Sequence, residues 1–561
     1  MEQQGLSAPV HDVVIQRGVP IPMRDGVVLR ADLYRPHAGG RYPVIIERVA
    51  YELTNRCRYL GEFFAQRGYV FLGQNVRGRF GSEGRWHPLR DDGWGTHPDG
   101  YDTIEWAAAQ PWSSGKVGMV DGSYSGFTQY AVAPTRPPHL TALYVRMGGA
   151  DVYRDFMFPG GAYALALHRG WALQQDAPAG AVGPLDEWQW HLPLRSCPPL
   201  EGRADWYFED LQHIDEDAYW RAVSVAAQAQ EIDTPITHLG GWFDAFLSGT
   251  LRAFTSIKAH GRTEATRRAQ RLIIGPWIHG PRAPYEQRAG ALDFGPDAAF
   301  DLDADRLRWY DYWLQGVDNG ALDGPAVRLF VMGANRWREY DTWPPPEVTY
   351  RPLYFRAGPT GSANSLNDGA LSFTAPETDE PPDTFTYDPA EPIPSLIWYP
   401  ELGPADHRPV EAQMLTYTTP PLAENLTVIG PVTVVLYGVS SARDTDWVAR
   451  LSDVWPDGRS LSLCDGILRA RYRTSFATPM LLRPGEVARF TIDLGATAYV
   501  FAAGHRLRVA ITSSDFPRYD RNLNTGGEFG TETAGIRAEN TVFHDEMRAS
   551  HIALPTIEDA R

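Results

Sequence analysis

A serine lies in a glycine-rich turn that follows a short apolar run of the chain. The run covers residues 117–120, the turn covers 121–126 with Ser123 at its centre, and a helix-like stretch begins at Phe127. A serine on a sharp strand-to-helix turn has the geometry of a nucleophile elbow, which lifts the hydroxyl above the sheet. Such a turn also directs the backbone N–H of the next residue toward a developing oxyanion. This N–H lies at the positive end of the helix, which further favours the negative charge. The turn predicts Ser123 as a nucleophile; a glycine-rich turn without catalytic function is the alternative.

This turn departs from the GxSxG pattern on both sides of the serine. Asp121 stands two residues before Ser123, and Ser125 stands two residues after it. Side chains at these two places crowd across the turn, so the residues there are usually small. Ser125 is a poorer centre for the elbow, because Phe127 would then occupy the crowded position after it.

One aspartate and one histidine further along the chain could activate the serine. A serine hydroxyl is a weak nucleophile until a histidine removes its proton, and the histidine needs a carboxylate to fix its tautomer. Asp244 follows the apolar run that ends near Leu239, and His279 follows the run that ends at Ile274. The order serine, aspartate, histidine is used by enzymes that place the serine on such an elbow. Asp233 is a competing acid, but it precedes its strand and would lie at the opposite edge of the sheet.

Strand-like and helix-like runs alternate around these residues. Short apolar runs fit strands that are buried on both faces of a sheet, and helix-like stretches lie between several of them. Strand, helix and strand in succession predict a parallel sheet with helices on its faces. The predicted strands are 27–34, 43–46, 69–72, 117–120, 234–239 and 271–274, and the predicted helices lie near 63–65, 102–108 and 250–259.

The pattern of the chain changes along its length, which predicts a divided α/β core and two further domains. Residues 1–148 and 233–345 carry the strand–helix alternation and form the two parts of the core. Residues 149–232, rich in aromatic residues, Pro, Gly and Ala, predict an inserted helical cap. Residues 346–561 have short β-rich runs between turn signals, which are typical of a jelly-roll β-sandwich. Within that segment, 376–394 is acidic and proline-rich and indicates a surface connection.

The composition excludes several classes of function. The chain has 561 residues and a net charge of −17, so neither a nucleic acid nor an anionic membrane surface is an expected partner. No run of about 18 apolar residues is present, so no membrane span is expected. The three cysteines form no CxxC, and HExxH and phosphate-loop motifs are absent, so we expect no disulfide framework, metal or cofactor. The N-terminus lacks a basic and an apolar signal region, which favours a cytoplasmic location.

The motifs resemble those of the cocaine esterase and X-Pro dipeptidyl-peptidase family of serine α/β-hydrolases, and most of all its bacterial cocaine-esterase branch. The resemblance runs nearly end to end. The matching stretches are PMRDG at 22–26, RG at 77–78 with SEG at 82–84, VGM at 117–119, SY at 123–124, GWFD at 241–244, GPWIH at 275–279, VRLFVMG at 327–333, CDG at 464–466 and SSDFP at 513–517. The resemblance implies a triad of Ser123, Asp244 and His279. It also implies hydrolysis of a small-molecule ester through an acyl-enzyme, without a cofactor.

The resemblance further implies an oxyanion hole and a substrate pocket. The family pairs a tyrosine hydroxyl with the backbone N–H after the serine, and here these groups are Tyr51 and the amide of Tyr124. The chain has no HGGG-type loop that would supply a second backbone donor, which agrees with this assignment. Four aromatic side chains are expected to wall the acyl pocket, with core packing as the alternative for each: Phe156, Phe158, Trp171 and Phe246. Because related enzymes can dimerise, a homodimer is also compatible with the resemblance.

Two residues depart from the pattern of the family. Asp121 stands where the family usually has glycine, and its carboxylate either disfavours oxyanion formation or pairs with a cation elsewhere. Asn75 replaces an aspartate that is common before Arg77, so one supporting contact of the family is in question.

Three other functions fit the same sequence. An amidase or peptidase, such as an X-Pro dipeptidyl aminopeptidase or an α-amino-acid ester hydrolase, would need carboxylates near the nucleophile to hold a substrate ammonium. Asp121 and Asp155 are the candidates, and no clear acidic cluster is present. A carbohydrate-binding β-domain beside a degenerate core is compatible with the 18 tryptophans. An acyltransferase, in which a bound alcohol replaces water, is the third.

Overall fold

Seven parallel strands form the middle of the main sheet, which has ten strands in all. The computed structural model describes residues 5–93, 97–178, 185–397 and 403–558. The first twelve strands are β1 Val13–Pro22, β2 Val28–Pro36, β3 Tyr42–Val49, β4 Val70–Asn75, β5 Ser113–Met119, β6 Leu140–Arg146, β7 Ile236–Phe243, β8 Arg271–Ile278, β9 Arg288–Ala289, β10 Leu292–Asp293, β11 Val327–Val331 and β12 Arg336–Tyr340. The order across the sheet is β1-β2-β4-β3-β5-β6-β7-β8-β11-β12, and β9 and β10 form a separate two-stranded ribbon. The edge strands β1, β2 and β12 are antiparallel to their neighbours.

Helices cover both faces of this sheet, as the alternation of elements predicts. The described helices are α1 Leu53–Ala65, α2 Asp99–Ala108, α3 Tyr124–Val132, α4 Leu165–Asp176, α5 Leu185–Trp190, α6 Asp205–Asp210, α7 Ala218–Arg221, α8 Leu247–His260, α9 Glu264–Arg268, α10 Leu302–Tyr310 and α11 Arg408–Glu411. Successive residues of a strand point to opposite faces, so β3 serves two hydrophobic cores. Ile45 packs with α1 and α10 on one face, and Val44 and Ile46 pack with α2 and α8 on the other. The α/β core predicted from the sequence is confirmed.

Two strands run further than the apolar runs that predicted them. β7 continues to Phe243 and β8 continues to Ile278. The two strands remain paired past the apolar runs, at Gly241 opposite Gly275. A Cβ on Gly241 would lie 2.2 Å from the Trp277 carbonyl oxygen, so this approach requires glycine. As a result, Asp244 and His279 directly follow the carboxyl ends of neighbouring strands.

The segment between β6 and β7 is helical in short pieces. It contains α4 to α7, a π-helical turn at Tyr153–Met157, and 3₁₀ turns at Pro159–Gly161, Pro198–Leu200 and Ala226–Glu231. Its aromatic core continues into the elbow helix, because Tyr124 and Phe127 belong to the same buried cluster. This cap therefore has no core separate from the nucleophile turn that it covers.

The C-terminal part is all-β apart from short helical turns, as predicted, and its strands form an eleven-stranded network consistent with a jelly roll. The strands are β13 Thr349–Arg356, β14 Gly369–Ser372, β15 Asp383–Tyr387, β16 Leu415–Thr418, β17 Leu426–Ser440, β18 Asp446–Val454, β19 Ser460–Arg469, β20 Ala488–Phe501, β21 Arg506–Thr512, β22 Ala538–Phe543 and β23 His551–Ile557. The acidic segment 376–394 is more than a surface connection, because β15 lies within it and pairs with β22. Phe385 and Tyr387 of β15 are buried because alternate residues of a strand face the core. This alternation covers too few residues to be recognised among the surrounding proline and acidic residues.

The C-terminal domain packs directly on the α/β core. Backbone hydrogen bonds join Met332 after β11 to Ala498 and Val500 of β20, and one hydrophobic cluster extends from β7 and β11 into the β-domain. On this arrangement we propose domain boundaries after residues 148, 232 and 345.

Neither a membrane-spanning helix nor a metal-binding group occurs among the described residues. No described helix combines the length and the apolar character needed to span a bilayer. Among the same residues, no group of three or more His, Cys, Asp and Glu side chains could hold a metal ion.

Candidate active site

Four of the residues singled out in the sequence follow the carboxyl ends of four parallel strands. Tyr51 follows β3, Ser123 follows β5, Asp244 follows β7 and His279 follows β8. Carboxyl ends of parallel strands meet at one edge of the sheet, which is where ligands bind in open α/β folds. The competing acid Asp233 is exposed before the start of β7, at the other edge.

The turn that carries Ser123 is strained and tightly packed. Ser123 has φ of +59° and ψ of −123° between the end of β5 and the start of α3. A positive φ in a residue other than glycine is costly and persists only where the surroundings impose it. Here the Ser123 N–H donates to the Arg146 carbonyl at 3.1 Å, and a Cβ on Gly122 would lie 2.3 Å from that same oxygen. The turn is therefore fixed against the end of β6.

Ser123, His279 and Asp244 form a continuous line of hydrogen bonds. His279 Nε2 lies 3.0 Å from Ser123 Oγ, and His279 Nδ1 lies 2.6 Å from Asp244 Oδ1. An ionised carboxylate can only accept, so Nδ1 carries the proton and Nε2 is the acceptor for the serine hydroxyl. The Asp244 side chain is fully buried, and the Phe246 ring packs edge-on against the imidazole at 5.2 Å between centroids.

The groups assigned to the oxyanion hole flank the same serine. The Tyr124 amide is the first of α3, and the first four amides of a helix have no acceptor within it. A hydrogen bond holds the backbone at Tyr51 in place, because Asn75 Nδ2 donates to the Tyr51 carbonyl at 2.7 Å. Asn75 thus supplies a supporting contact although it is not the expected aspartate. Burial raises the pKa of the Tyr51 hydroxyl, so it stays protonated at neutral pH as an oxyanion donor must.

The Asp121 carboxylate pairs with cations beneath the turn. Arg146 Nη2 donates to Asp121 Oδ1 at 2.6 Å, and Arg56 Nη2 donates to Oδ2 at 3.4 Å. Despite burial, the two guanidinium groups hold the pKa of Asp121 well below its usual range. Arg146 Nη1 also donates to the Gly280 carbonyl at 2.8 Å, so one side chain joins the turn before Ser123 to the residue after His279. Of the two outcomes left open by the sequence, the structure shows the ion pair.

A second buried carboxylate lies under the elbow helix and was missed by the sequence analysis. Glu47 on β3 accepts from Arg56 Nε at 2.8 Å and from the Ser125 hydroxyl at 3.1 Å. Ser125 thus supports the turn from below. A Glu-Arg pair inside an otherwise apolar strand, at 47 and 48, was the available signal, because buried charges are rare unless they are paired.

An apolar cavity opens at Ser123. It is small in this conformation, about 30 Å³, which is room for about two water molecules. Its lining consists of Tyr51, Leu89, Ser123, Tyr124, Phe127, Phe156, Leu167, Trp171 and Phe246. Three of the four predicted wall residues, Phe156, Trp171 and Phe246, line it.

Phe158 is not part of that cavity. Its side chain is 1% exposed and packs against the rings of Tyr153 at 5.3 Å and Phe529 at 5.9 Å. The π-helical turn that ends at Met157 directs it into the core of the cap. Leu167 lines the cavity in addition, and its spacing of four residues from Trp171 on α4 was the signal for it.

A larger cavity lies between the β7–α8 loop, the cap and the C-terminal domain. Its volume is about 300 Å³, and charged side chains such as Arg154, Arg252 and Asp493 contribute to its lining. Asp244 borders it, but neither Ser123 nor His279 does. The smaller apolar cavity is therefore the one that adjoins the nucleophile.

Comparison with known proteins gives two family matches that together span most of the chain. Residues 25–281 match the X-Pro dipeptidyl-peptidase (S15 family) model, and residues 319–553 match the X-Pro dipeptidyl-peptidase C-terminal non-catalytic domain. The first match contains Ser123, Asp244 and His279.

Individual relatives cover nearly the whole chain. Cocaine esterase from Rhodococcus sp. (strain MB1 Bresler) is 35% identical over 97% of this chain and 99% of its own length. The solved structure of an aminopeptidase from a marine sediment Thaumarchaeota archaeon has a TM-score of 0.86 and 26% identity, over 98% of this chain and 97% of that one. An alpha-amino acid ester hydrolase has a TM-score of 0.84 and 26% identity over the same shares.

Proposed function

This chain belongs to the cocaine esterase and X-Pro dipeptidyl-peptidase (S15) family of serine α/β-hydrolases, and we propose that Ser123, His279 and Asp244 carry out its reaction. It is an enzyme, a serine hydrolase that acts on esters. The observation that carries the proposal for these three residues is their continuous line of hydrogen bonds at the carboxyl ends of β5, β7 and β8.

The proposed reaction is acyl transfer from an ester to water. His279 Nε2 accepts the Ser123 proton while the serine oxygen bonds to the carbonyl carbon, whose π electrons move to oxygen. The Tyr51 hydroxyl and the Tyr124 amide donate to that oxyanion, and Asp244 stabilises the imidazolium. Collapse breaks the bond to the alkoxy oxygen, which takes the proton from His279 and leaves as the alcohol. Water then repeats the sequence and releases the carboxylic acid and the serine.

The cavity at Ser123 supports esters of small apolar acids as substrates. Phe156, Trp171 and Phe246 give it apolar walls, which favour an apolar acyl group. Its volume of about 30 Å³ limits the length of an acyl chain that enters without moving these side chains. We expect kcat/KM to fall along a p-nitrophenyl ester series from acetate to octanoate.

Hydrolysis of amino-acid esters or peptides is the second candidate, because the two solved structures include an aminopeptidase and an alpha-amino acid ester hydrolase. A substrate ammonium near Ser123 needs a carboxylate, and none lines the described cavity. Asp121 is paired with two arginines. Asp155 accepts from the amides of Ala150 and Asp151 and from Arg252. These contacts favour acyl groups without an amine.

A matched pair of substrates separates the two candidates. p-Nitrophenyl propionate and the p-nitrophenyl ester of alanine differ only in the α-ammonium group. We expect a higher kcat/KM for the propionate, and a preference for the alanine ester, together with cleavage of alanine p-nitroanilide, would favour the second candidate.

The nucleophile itself is tested by replacing it. Ser123→Ala should abolish p-nitrophenyl acetate hydrolysis and labelling by a fluorophosphonate probe, while Ser125→Ala should keep both. Near-normal turnover by Ser123→Ala would reject the assignment. Tyr51→Phe should keep the labelling site but lower kcat by about 10²–10³.

A homodimer and a cytoplasmic location belong to the proposal as well. The dimer is supported only by the resemblance to the family, and the location by three unpaired cysteines, of which Cys57 and Cys197 are buried. Light scattering of the purified protein and fractionation of the native host test these two points.

A further inference from the structure

The cap reaches the proposed oxyanion hole through one hydrogen bond. Trp171 lies on the cap helix α4, and its indole Nε1 donates to the Tyr51 hydroxyl oxygen at 3.1 Å. Tyr51 follows β3 of the α/β core, so this contact joins two domains at the proposed active site.

The direction of this bond matters for the chemistry. An indole N–H can only donate, so the tyrosine oxygen is the acceptor and its own proton is left to donate elsewhere. The bond fixes the hydroxyl oxygen beside the cavity and polarises the O–H group, because hydrogen bonds in a chain strengthen one another. A donor held in place before reaction needs no reorganisation when the oxyanion forms.

The same helix holds the backbone of the tyrosine segment by a second route. Asp176, at the end of α4, accepts from Arg79 Nη1 at 2.8 Å. Arg79 Nε in turn donates to the Ala50 carbonyl, directly before Tyr51, at 3.3 Å. Helix α4 therefore contacts both the hydroxyl of Tyr51 and, through Arg79, the peptide before it.

We propose that Trp171 is a positioning residue for the oxyanion hole, and that through its indole N–H the cap sets the position of the Tyr51 hydroxyl. The inference rests on the proposed function, in which Tyr51 is an oxyanion donor. It adds that a correctly seated cap is needed for that donor to work, rather than only for the shape of the pocket.

Trp171 also lines the cavity, so its two roles must be separated. A wall residue acts on the acyl group, and its loss changes KM and the preference for acyl length. A positioning residue acts through Tyr51, and its loss changes kcat only when Tyr51 has a hydroxyl. Trp171→Phe keeps an aromatic ring in the wall and removes the N–H donor together with part of the indole. p-Nitrophenyl acetate presents a short acyl group that depends little on the wall, so it reports mainly the loss of the donor.

A double-mutant cycle with Tyr51→Phe is the decisive experiment. With Tyr51 present, Trp171→Phe should lower kcat by about fivefold to tenfold with little change in KM, as expected for one lost hydrogen bond. In the Tyr51→Phe background the same substitution should change kcat by less than about twofold, since the bond is already absent.

Trp220→Phe is the matched control. Trp220 Nε1 donates to the His213 carbonyl at 2.6 Å within the cap, so this variant removes an indole N–H bond that does not involve Tyr51. Its kcat should stay within about twofold of the original enzyme. Should Trp171→Phe not fold, as judged by near-UV circular dichroism, Trp171→Leu takes its place in the cycle, because leucine also lacks a hydrogen-bond donor.

The outcomes distinguish this inference from the proposed function. If Tyr51→Phe alone leaves kcat unchanged, the proposed oxyanion role of Tyr51 is wrong. If Tyr51→Phe lowers kcat but Trp171→Phe lowers it equally in both backgrounds, or in neither, Trp171 is a wall residue and the positioning role is overturned.

Discussion

The two sides of Ser123 are built from different chemistry. Below the turn lies a charged network, the floor, in which two carboxylates, Asp121 and Glu47, share Arg56, and Asp121 also pairs with Arg146. Above it lies the roof, an aromatic and aliphatic wall that the cap forms with Phe156, Leu167 and Trp171. Buried ion pairs have few alternative geometries, because an unpaired charge in the interior is costly. Apolar walls tolerate changes of shape far better. The floor is therefore suited to holding the reacting groups in place, and the roof is suited to setting which acyl groups enter.

The strongest test of this contrast is to remove Arg146, the cation that makes the shorter ion pair with Asp121. Arg146→Met leaves the Asp121 carboxylate with only the longer 3.4 Å contact to Arg56. It also removes the donor to the carbonyl of Gly280, beside His279. Loss of one partner of a buried ion pair should lower the free energy of unfolding by about 3–5 kcal/mol. Misplacement of His279 should lower kcat on the order of tenfold to a hundredfold.

A second substitution separates the two effects of Arg146. In Arg146→Met/Asp121→Gly the stranded carboxylate is gone, and glycine is favoured at φ of +82°. Urea unfolding should show most of the stability restored, while kcat stays low because Gly280 still lacks its donor. A loss of under about 1 kcal/mol in the single variant would mean that the pair is solvated, contrary to the contrast drawn here.

A buried histidine that contacts the elbow helix α3 makes the stability of the protein sensitive to pH. His238 on β7 accepts from the Tyr130 hydroxyl of α3 at Nδ1, at 2.6 Å, and donates to Gln270 from Nε2, at 3.0 Å. Burial lowers the pKa of His238 to about 4. Between pH 6.5 and 4 the unfolded chain binds this proton and the folded chain does not. Stability present above pH 6.5 is therefore lost as the pH falls through this window, by about 3 kcal/mol in all.

The measurement is urea unfolding at pH 7.5 and pH 4.5. His238→Gln, which can replace both hydrogen bonds without titrating, should show a smaller loss between the two pH values than the original enzyme. His37→Gln, at an exposed position, is the control and should leave the pH dependence unchanged. Equal losses in all three proteins would assign the acid sensitivity to other groups.

The sequence alone predicted the site residues that follow the strand ends, but not the charged network of the floor. Asp244 and His279 could be predicted because each directly follows an apolar run, and runs of this kind order themselves into a parallel sheet. The Arg146–Asp121 pair could not, since it joins the end of β6 to the turn before α3 and depends on the register of two strands. Tyr51 was assigned through family resemblance, because nothing in its local pattern marks a donor.

The roof was harder to predict than the strand ends for a different reason. The cap is made of short helices and single turns, so its residues follow no long period that shows which side chains face inward. Phe156 and Phe158 are two residues apart in one buried cluster, yet only Phe156 lines the cavity, while Phe158 packs against Phe529. On α4, by contrast, a regular helix places Leu167 and Trp171 on one face, and that pair could be deduced once the cavity was located.

Opening the roof should change selectivity with little effect on stability. Leu167 is half-buried and lines the cavity. Leu167→Ala therefore shortens a branched side chain in the cavity wall. The added space should raise the kcat/KM ratio of p-nitrophenyl hexanoate to acetate by about tenfold, the lower end of the discrimination expected of one methylene group in an apolar pocket. An unchanged ratio, with activity retained, would show that the acyl chain does not enter this cavity.

The smallest effect on selectivity should come from substituting Phe158, the predicted wall residue that does not line the cavity. Phe158→Leu lies in the core of the cap, so it should lower the free energy of unfolding by about 1 kcal/mol through lost packing. Its hexanoate-to-acetate ratio should stay within about twofold of the original enzyme, because its ring faces Tyr153 and Phe529 rather than the cavity.

Leu167→Ala and Phe158→Leu are thus a matched pair, since both shorten an apolar cap residue and only Leu167 lines the cavity at Ser123. A shift in selectivity as large for Phe158→Leu as for Leu167→Ala would mean that the cap acts on the substrate as one unit, and that the roof cannot be divided into wall and packing residues.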